Sequence, residues 1–480
     1  WLEICLKPGK TVCFEQSCVA AEYQTVLWDK YHLLYLDGAY GWDQFDENKV
    51  SSRVMDYVAG NLSETGENSV FRTKLCEASL LEYMFATDND GTGMLRQASA
   101  YMKRHLPEDV AKKMYQQYQD GKKAEADGKT EYSVEDADQA IINAKKEKEQ
   151  ADQNAKEGAP QEEAGEKNIQ DNENNHAQDA EDSKKESPIQ IVLQLKQNAL
   201  LGMTVSDMSS LSAKAVEAKD MVSNRQCETG RYDMKKAEKM NVSDRVMVLE
   251  YIGKHFSDYT EPGKGDLTYE MEYILCGKDT DKKNLESSIE RLMRMREAAN
   301  VAHIIADREK LNQTLMIATS LAGFSGNPAV VKIVQIGVVA AWAYVESILD
   351  LRTLLSGGKI SLIKSAAEWT TDLKKLGEIV TGEGKARECK NGLSYQAYIK
   401  QLLFAMKEKK MAYRMMDIME LAMQKEQNGK NARMDHMIDN MICELRFEAK
   451  PLFAKRSLYG DMEMGGYTFF KRQKLSYINE

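Results

Sequence analysis

The chain has 480 residues, 42% hydrophobic and 29% charged, enough apolar material for two or three ordinary domains or one large one with insertions. Its net charge of −10 is concentrated: residues 121–187 hold 19 acidic against 10 basic side chains, and the remainder is nearly neutral at 56 against 55. No basic field is left for nucleic acid, which excludes that class of partner from this reading.

In chain order, residues 15–30 (EQSCVAAEYQTVLWDK) predict an amphipathic helix with Val19, Tyr23, Val26 and Leu27 on one face. The aromatic and aliphatic run 31–36 predicts a strand, closed by a turn at Asp37 and Gly38. Residues 50–61 read as a second short helix, 75–85 as a strand, and 88–93 (DNDGTG) as a turn capping a helix over 94–105. A further helix starts at Pro107 and fades near Gly121. Beyond it the aliphatics of 121–187 are Val134, Ile141, Ile142 and Ile169, too few to offset about 1–2 kcal/mol of backbone entropy per ordered residue. This stretch is expected to be a disordered, solvated acidic linker, with a transient helix near 134–150.

Order resumes at Pro188 with a helix, IQIVLQLKQNALLGM. Residues 243–255 form another, with Asn241 in its cap region. In 266–276 (DLTYEMEYILC), Leu267, Tyr269, Met271, Tyr273 and Leu275 face away from Thr268, Glu270 and Glu272, the alternation of a half-buried strand. Asp279 to Asp281 cap a long helix reaching about Ala306, and a helix over 308–324 turns at Gly326. Further on, KISLI (359–363) reads as a strand, 366–379 as a helix, and 393–427 as a long Met-rich helix that Gly429 interrupts before 433–440. Residues 442–450, with Cys443, Leu445 and Phe447 inward, and 467–477 read as strands. LEYMFATDND before the helix at Met94 and MEYILCGKDTD before the helix at Asn284 look like copies of each other, strand then acidic cap then helix, which suggests two related lobes.

Residues 327–358 (NPAVVKIVQIGVVAAWAYVESILDLRTLLSGG) are the longest apolar run. Asn327 and Pro328 start a helix and Gly357 and Gly358 stop it. A membrane span needs about 20 largely uncharged residues. The stretch free of charge and amide is shorter, so the rod is expected inside protein. Lys332, Gln335, Glu346 and Asp350 fall on one narrow polar stripe along it. Their partners are expected among Lys359, Lys364 and the Arg-rich helix around 291–296. The fold class is α+β, predominantly helical, with this long buried helix at its centre, short antiparallel strands and the disordered acidic insertion. The division is an N-terminal α/β lobe (1–120), the linker (121–187) and a helical core with peripheral strands (188–480).

Little in the chain carries chemistry. Cys5, Cys13, Cys18, Cys76, Cys227, Cys276, Cys389 and Cys443 include no C-x-x-C pair, so zinc and redox spacings are missing and disulfide status stays open. The 26 methionines read as core filling. His32, His105, His176, His255, His303 and His436 stand apart in sequence and in no H-E-x-x-H or G-x-S-x-G context. GKGD at Gly263 lacks the spacing of a phosphate loop. Asp88, Asn89, Asp90 and Thr92 resemble a calcium loop, but Ser99 stands where the bidentate Glu would be, which favours a capping turn. No catalytic, cofactor or metal site is expected, and the reading is of a protein that is not an enzyme.

Several stretches together resemble a known family: AEYQTVLWDKYHLLYLDGAYG, AGFSGNPAVVKIVQIGVVAAWAYVESILDLRTLLSGGKISLIK, YQAYIKQLLFAMKEKKMAYRMMDIMELAM and GGYTFF. They look like an uncharacterised family of Gram-positive bacteria encoded in Tad (Flp) pilus loci and related to the TadE/TadG-like pseudopilins. The resemblance implies an envelope protein with its bulk outside the cytoplasm, anchored by an N-terminal hydrophobic helix. Here that helix is expected upstream of Trp1. It also implies other pilus or envelope proteins as partners, with self-association an open option. The rival expectation is a soluble cytoplasmic scaffold that recruits partners through its acidic segment.

Overall fold

Helices dominate the computed structural model, which describes residues 19–64, 72–128, 133–157, 187–232, 240–377, 384–426, 429–450 and 467–477. The chain gathers into two compact units: unit 1 is Trp1–Tyr115, Ala213–Asn284 and Leu403–Glu480, and unit 2 is Gln116–Ser212 and Leu285–Leu402. Each unit draws on both sides of the acidic stretch, so a division by chain order into 1–120 and 188–480 does not describe them.

Unit 1 is built on an antiparallel sheet. Its central strand β3 (Met437–Lys450) pairs with β2 (Arg72–Phe85) along one edge and with β1 (Leu36–Asp37) and β4 (Tyr467–Ser476) along the other. Cys443, Leu445 and Phe447 are buried, as their alternation requires. Helix α2 (Glu47–Glu64) lays Val50, Val54 and Val58, one face at i, i+4 and i+8, onto this side of the sheet. Glu444–Arg472 and Arg446–Glu77 pairs cross the strands from residues set between the buried ones. The first helix, α1 (Thr25–Tyr31), is shorter than expected because Gln24 caps it and Tyr23 bridges to Leu36. Residues 15–18 lie outside the described residues. Tyr31 belongs to that helix, so the strand expected over 31–36 shrinks to β1.

A 3-10 turn, Asp88–Gly91, leads into α3 (Thr92–Lys103) as expected of 88–93, but the cap position is Gly91 and no side chain of the turn caps the helix. Asp88 accepts the Phe85 and Gly230 N–H groups and Asp90 pairs with Lys409. Helix α4 (Glu108–Asp127) runs past Gly121. Three segments depart from the sequence reading. Residues 266–276 are not a strand: Glu270–Cys276 is a helix, with every residue from Met271 to Cys276 buried. A fully buried segment makes apolar alternation uninformative, and Gly277 at φ 64° ends it as a left-handed cap. The supposed copy of the strand–cap–helix motif fails with it. The helix expected over 393–427 is two, Tyr395–Phe404 and Glu408–Gln424, because Arg245 donates to the Phe404 and Met406 carbonyls between them. Residues 433–440 are a 3-10 turn running into β3, drawn there by Glu420, which accepts the Met434 N–H at 2.8 Å.

Unit 2 is organised around the expected rod, Pro328–Leu355, capped by Asn327. It is long and apolar enough to cross a membrane, yet Val338 to Val345 are buried inside the unit. Arg308–Ala322, Val134–Glu157, Pro188–Lys196 and Leu200–Thr204 pack on it. The second of these corrects the acidic-linker expectation. Val134–Glu157 is a helix whose Val134, Ala137, Ile141 and Ala144 are buried. A side chain at Gly337 would put its Cβ 2.1 Å from that of Ala137, so small residues set the close approach. Residues 129–132 and 158–186 lie outside the described residues. The 188–203 run breaks into two helices, and KISLI forms one bridge, Ile360 to Leu393, instead of a strand. Residues 366–375 hold a 3-10 turn, Leu373–Lys375, rather than the first part of the helix expected over 366–379, for a reason that lies in the rod's charges; 376–377 are helical and 378–379 lie outside the described residues.

Candidate functional site

The predicted stripe divides into two parts. Lys332 and Gln335 form a short pair at 3.3 Å, and Gln335 donates to the Leu311 carbonyl, fastening the rod to Arg308–Ala322. Glu346 and Asp350 go inward, and their side chains, with those of Arg296 and Lys364, are fully shielded from solvent. Lys364 contacts Glu346 and lies 2.5 Å from Asp350 Oδ1. Arg296 donates to Asp350 Oδ2 at 3.0 Å, to the Ser361 and Leu362 carbonyls and to the Tyr398 hydroxyl. Asn300 donates to Ser347 and to Asp350 Oδ2. Lys364 and Arg296 thus fall within the expected partner set, whereas the Lys359 side chain is exposed.

Two cations and two carboxylates cancel in a site without water screening, where each charge depends on the others. Burial opposes the Arg296 charge, but Tyr398 and Asp350 outweigh it and hold its proton more tightly than usual. Burial pushes Tyr398 up to about 12. Glu346 also accepts the Thr370 and Thr371 N–H groups at 3.1 and 2.9 Å. Those bonds take the Thr370 and Thr371 N–H groups that a helix over 366–379 would need for itself. Thr371 then receives the Trp342 indole N–H, and Trp369 stacks on His303 at 4.9 Å. Burial, then Lys310, holds His303 below the usual imidazole range. The carboxylates are engaged by donors and cations of the unit itself, so the arrangement fixes which faces of the rod meet which segments.

Unit 1 brings together histidines that stand apart in sequence. Tyr101 lies in the last turn of α3 and His105 just beyond its end, and Tyr251 and His255 end the helix Val242–His255, each pair at i and i+4. The repeated pattern Y-x-x-[KR]-H is the sequence signal for this site, and it is easily missed when histidines are compared only with one another. Tyr251 donates to the Tyr31 carbonyl at 2.6 Å and His255 Nδ1 to the Lys30 carbonyl at 2.9 Å. The end of α1 is therefore capped by another helix. His105 Nδ1 lies 2.7 Å from the Tyr101 carbonyl and caps its own helix. His32, left-handed at φ 53°, stacks on Tyr101 at 4.8 Å and meets His255 edge-on at 5.4 Å. Burial, with His32, Lys254 and His105 adding like charge, pulls His255 down to about 4.

The following residues are held from the other side. Gln97 accepts the Leu34 N–H, donates to the Leu34 carbonyl at 3.0 Å and donates to Asp439 Oδ1 at 3.0 Å. Asp439 is fully buried, and that burial raises it to about 7. The nearby Tyr35 hydroxyl is buried with no hydrogen-bond partner among the described residues. Among the described residues no group of three His, Cys, Asp or Glu side chains is arranged to hold a metal ion.

No curated protein and no solved structure matches the chain. A family model, described as a family of unknown function (DUF5702), matches residues 178–449, more than half of the sequence. The chain belongs to that family.

Proposed function

We propose that this chain is a non-enzymatic cell-envelope protein, a pseudopilin-like or accessory component of Tad-type pilus assembly, working by presenting folded surfaces to other subunits on the outer side of the membrane. The observation that carries the reading is where the resembling residues fall. Residues 322–364 of the pilus-locus pattern contain the rod, Glu346, Asp350 and Lys364, and residues 395–423 contain the two helices that Arg245 separates. The pattern is a packing pattern. Its charged groups are consumed in fixing the architecture, as suits a mechanical component better than a catalyst. An anchoring helix upstream of Trp1 belongs to the same proposal.

The test is to fractionate cells carrying the tagged full-length protein and to cross-link it in place. Recovery with the membrane or cell-surface fraction, with pilus proteins among the cross-linked products, is expected; a wholly cytosolic protein would sink the proposal. The rival scaffold reading is separated by deleting residues 158–186, which spares Val134–Glu157 and so leaves the rod covered. Loss of partners without change of location would favour the scaffold.

A further inference from the structure

We infer that Lys364 and Asp350 condense, once unit 2 has folded, into an intramolecular isopeptide bond between Nζ and Cγ, with Glu346 relaying the proton. This inference is independent of the pilus reading, and its failure would leave that reading where it stands. The geometry of the site carries it. The side chains of Lys364, Glu346, Asp350 and Arg296 are all fully shielded from solvent. One amine stands against two carboxylates, touching Glu346 and lying 2.5 Å from Asp350 Oδ1. That second approach is not a hydrogen bond: Oδ1 is buried with no hydrogen-bond partner among the described residues, so Nζ is not aligned to donate to it. The other oxygen, Oδ2, is held by Arg296 Nε and Asn300 Nδ2, each at 3.0 Å.

These positions are the ones amide formation needs. Lysine attacks only with a free electron pair, and Glu346 is in place to take a proton from Nζ. The freed pair adds to Cγ, and the charge gathering on Oδ2 in the tetrahedral intermediate meets donors already aimed at it, as in an oxyanion hole. Glu346 then passes its proton to Oδ1, the new nitrogen gives up a second one, and Oδ1 leaves as water. One C–N bond forms and one C–O bond breaks. The third hydrogen of the ammonium stays on the amide nitrogen, and nothing is oxidised or reduced.

The surroundings favour the product. In water, hydration of the separate ions opposes condensation; in this interior that hydration is already lost, and the ions bear the cost of desolvation. Trp369, its ring centre 5.8 Å from Nζ, adds an apolar wall, with Trp342 edge-on to it at 5.5 Å. Condensation removes one charge of each sign and leaves Arg296 and Glu346, which still cancel. Oδ2 becomes the amide oxygen and keeps both donors, while Glu346 keeps the Thr370 and Thr371 N–H groups.

Mass spectrometry of the folded full chain, digested with trypsin after denaturation, tests this. The link blocks cleavage at Lys364, so residues 333–352 and 360–374 should emerge as one branched peptide, about 18 Da lighter than the sum of its parts. Asp350→Asn should form the same amide, with ammonia leaving in place of water. Glu346→Gln keeps nucleophile and acceptor but not the relay, and should slow linkage about 100-fold or more. Linkage at the wild-type rate in that variant would overturn the relay. Separate wild-type peptides cut after Lys364 would overturn the bond itself, as would a branch at Glu346. Should the variants fail to fold, wild type still decides: the branched peptide supports the inference and its absence overturns it.

Discussion

Lys364 Nζ lies 2.5 Å from Asp350 Oδ1 and also touches Glu346, so one ammonium serves two carboxylates one helical turn apart on the rod. Lys364→Met leaves those carboxylates with Arg296 as their remaining cation. We expect a loss of about 3–5 kcal/mol in urea denaturation, the usual cost of breaking a buried pair. Adding Glu346→Gln should recover part of it, because the second change removes the charge that the first left bare. A double variant as unstable as the sum of the single ones would show that the groups act independently.

Gly337 predicts a steric test of the helix Val134–Glu157. Gly337→Ala places a methyl 2.1 Å from the Ala137 methyl, which neither backbone can absorb without moving. A cost of about 1–3 kcal/mol is expected, with faster proteolysis within 134–157. Ala137→Gly in the same chain should restore much of the loss. Unchanged protease resistance in the single variant would contradict the packing.

Arg414 donates to the carbonyls of Ile274, Leu275 and Cys276 at 2.8–2.9 Å, closing the helix end that Gly277 turns. Arg414→Met keeps the apolar stem and removes the donors. About 2–4 kcal/mol should be lost, since buried carbonyls are left unpaired. Arg414→Lys should recover only part of it, because one ammonium does not reproduce the planar fork. Thermal unfolding of the three proteins side by side measures the order.

Asp435 predicts an acid-dependent effect. Burial alone would raise its carboxyl, but Arg433, the Glu228 N–H and Arg225 outweigh burial and hold it well below the usual range. Such a group contributes fully above its ordinary value of about 3.9 and less as pH falls below it. Asp435→Asn should therefore cost about 3–5 kcal/mol at pH 7, with a visibly smaller gap at pH 3. A gap that is the same at both pH values would refute the assignment.

Elements whose signals are local were legible before the structure. Asn327, Pro328 and Gly357 bracket the rod, Asn241 caps its helix, and Cys443, Leu445 and Phe447 alternate along β3, because caps and period-two burial are written within a few residues. Residues 360–371 were not legible, since Glu346 and Arg296 capture their backbone groups from far away in sequence. The helix Val134–Glu157 was misread because its buried Ala137 and Ala144 count for little in hydrophobicity, yet Ala137 is the right size for close packing against Gly337. The stripe found its charged partners at Lys364 and Arg296. The His255 cap went unseen because its acceptor is a backbone carbonyl, which no side-chain pattern records.

The rod also bears on how the chain is made. Were the chain exported, as proposed above, a nascent Pro328–Leu355 in a membrane-insertion channel would have the length and hydropathy of a stop-transfer sequence. Acidic or basic residues near the middle of such a segment disfavour lateral release into lipid by about 2.5–3.5 kcal/mol each. In that setting Glu346, nearest the middle, and more weakly Asp350 would disfavour lodging in the bilayer before any tertiary partner had formed, so side chains that later knit the interior together would help keep the newborn polypeptide on the aqueous path.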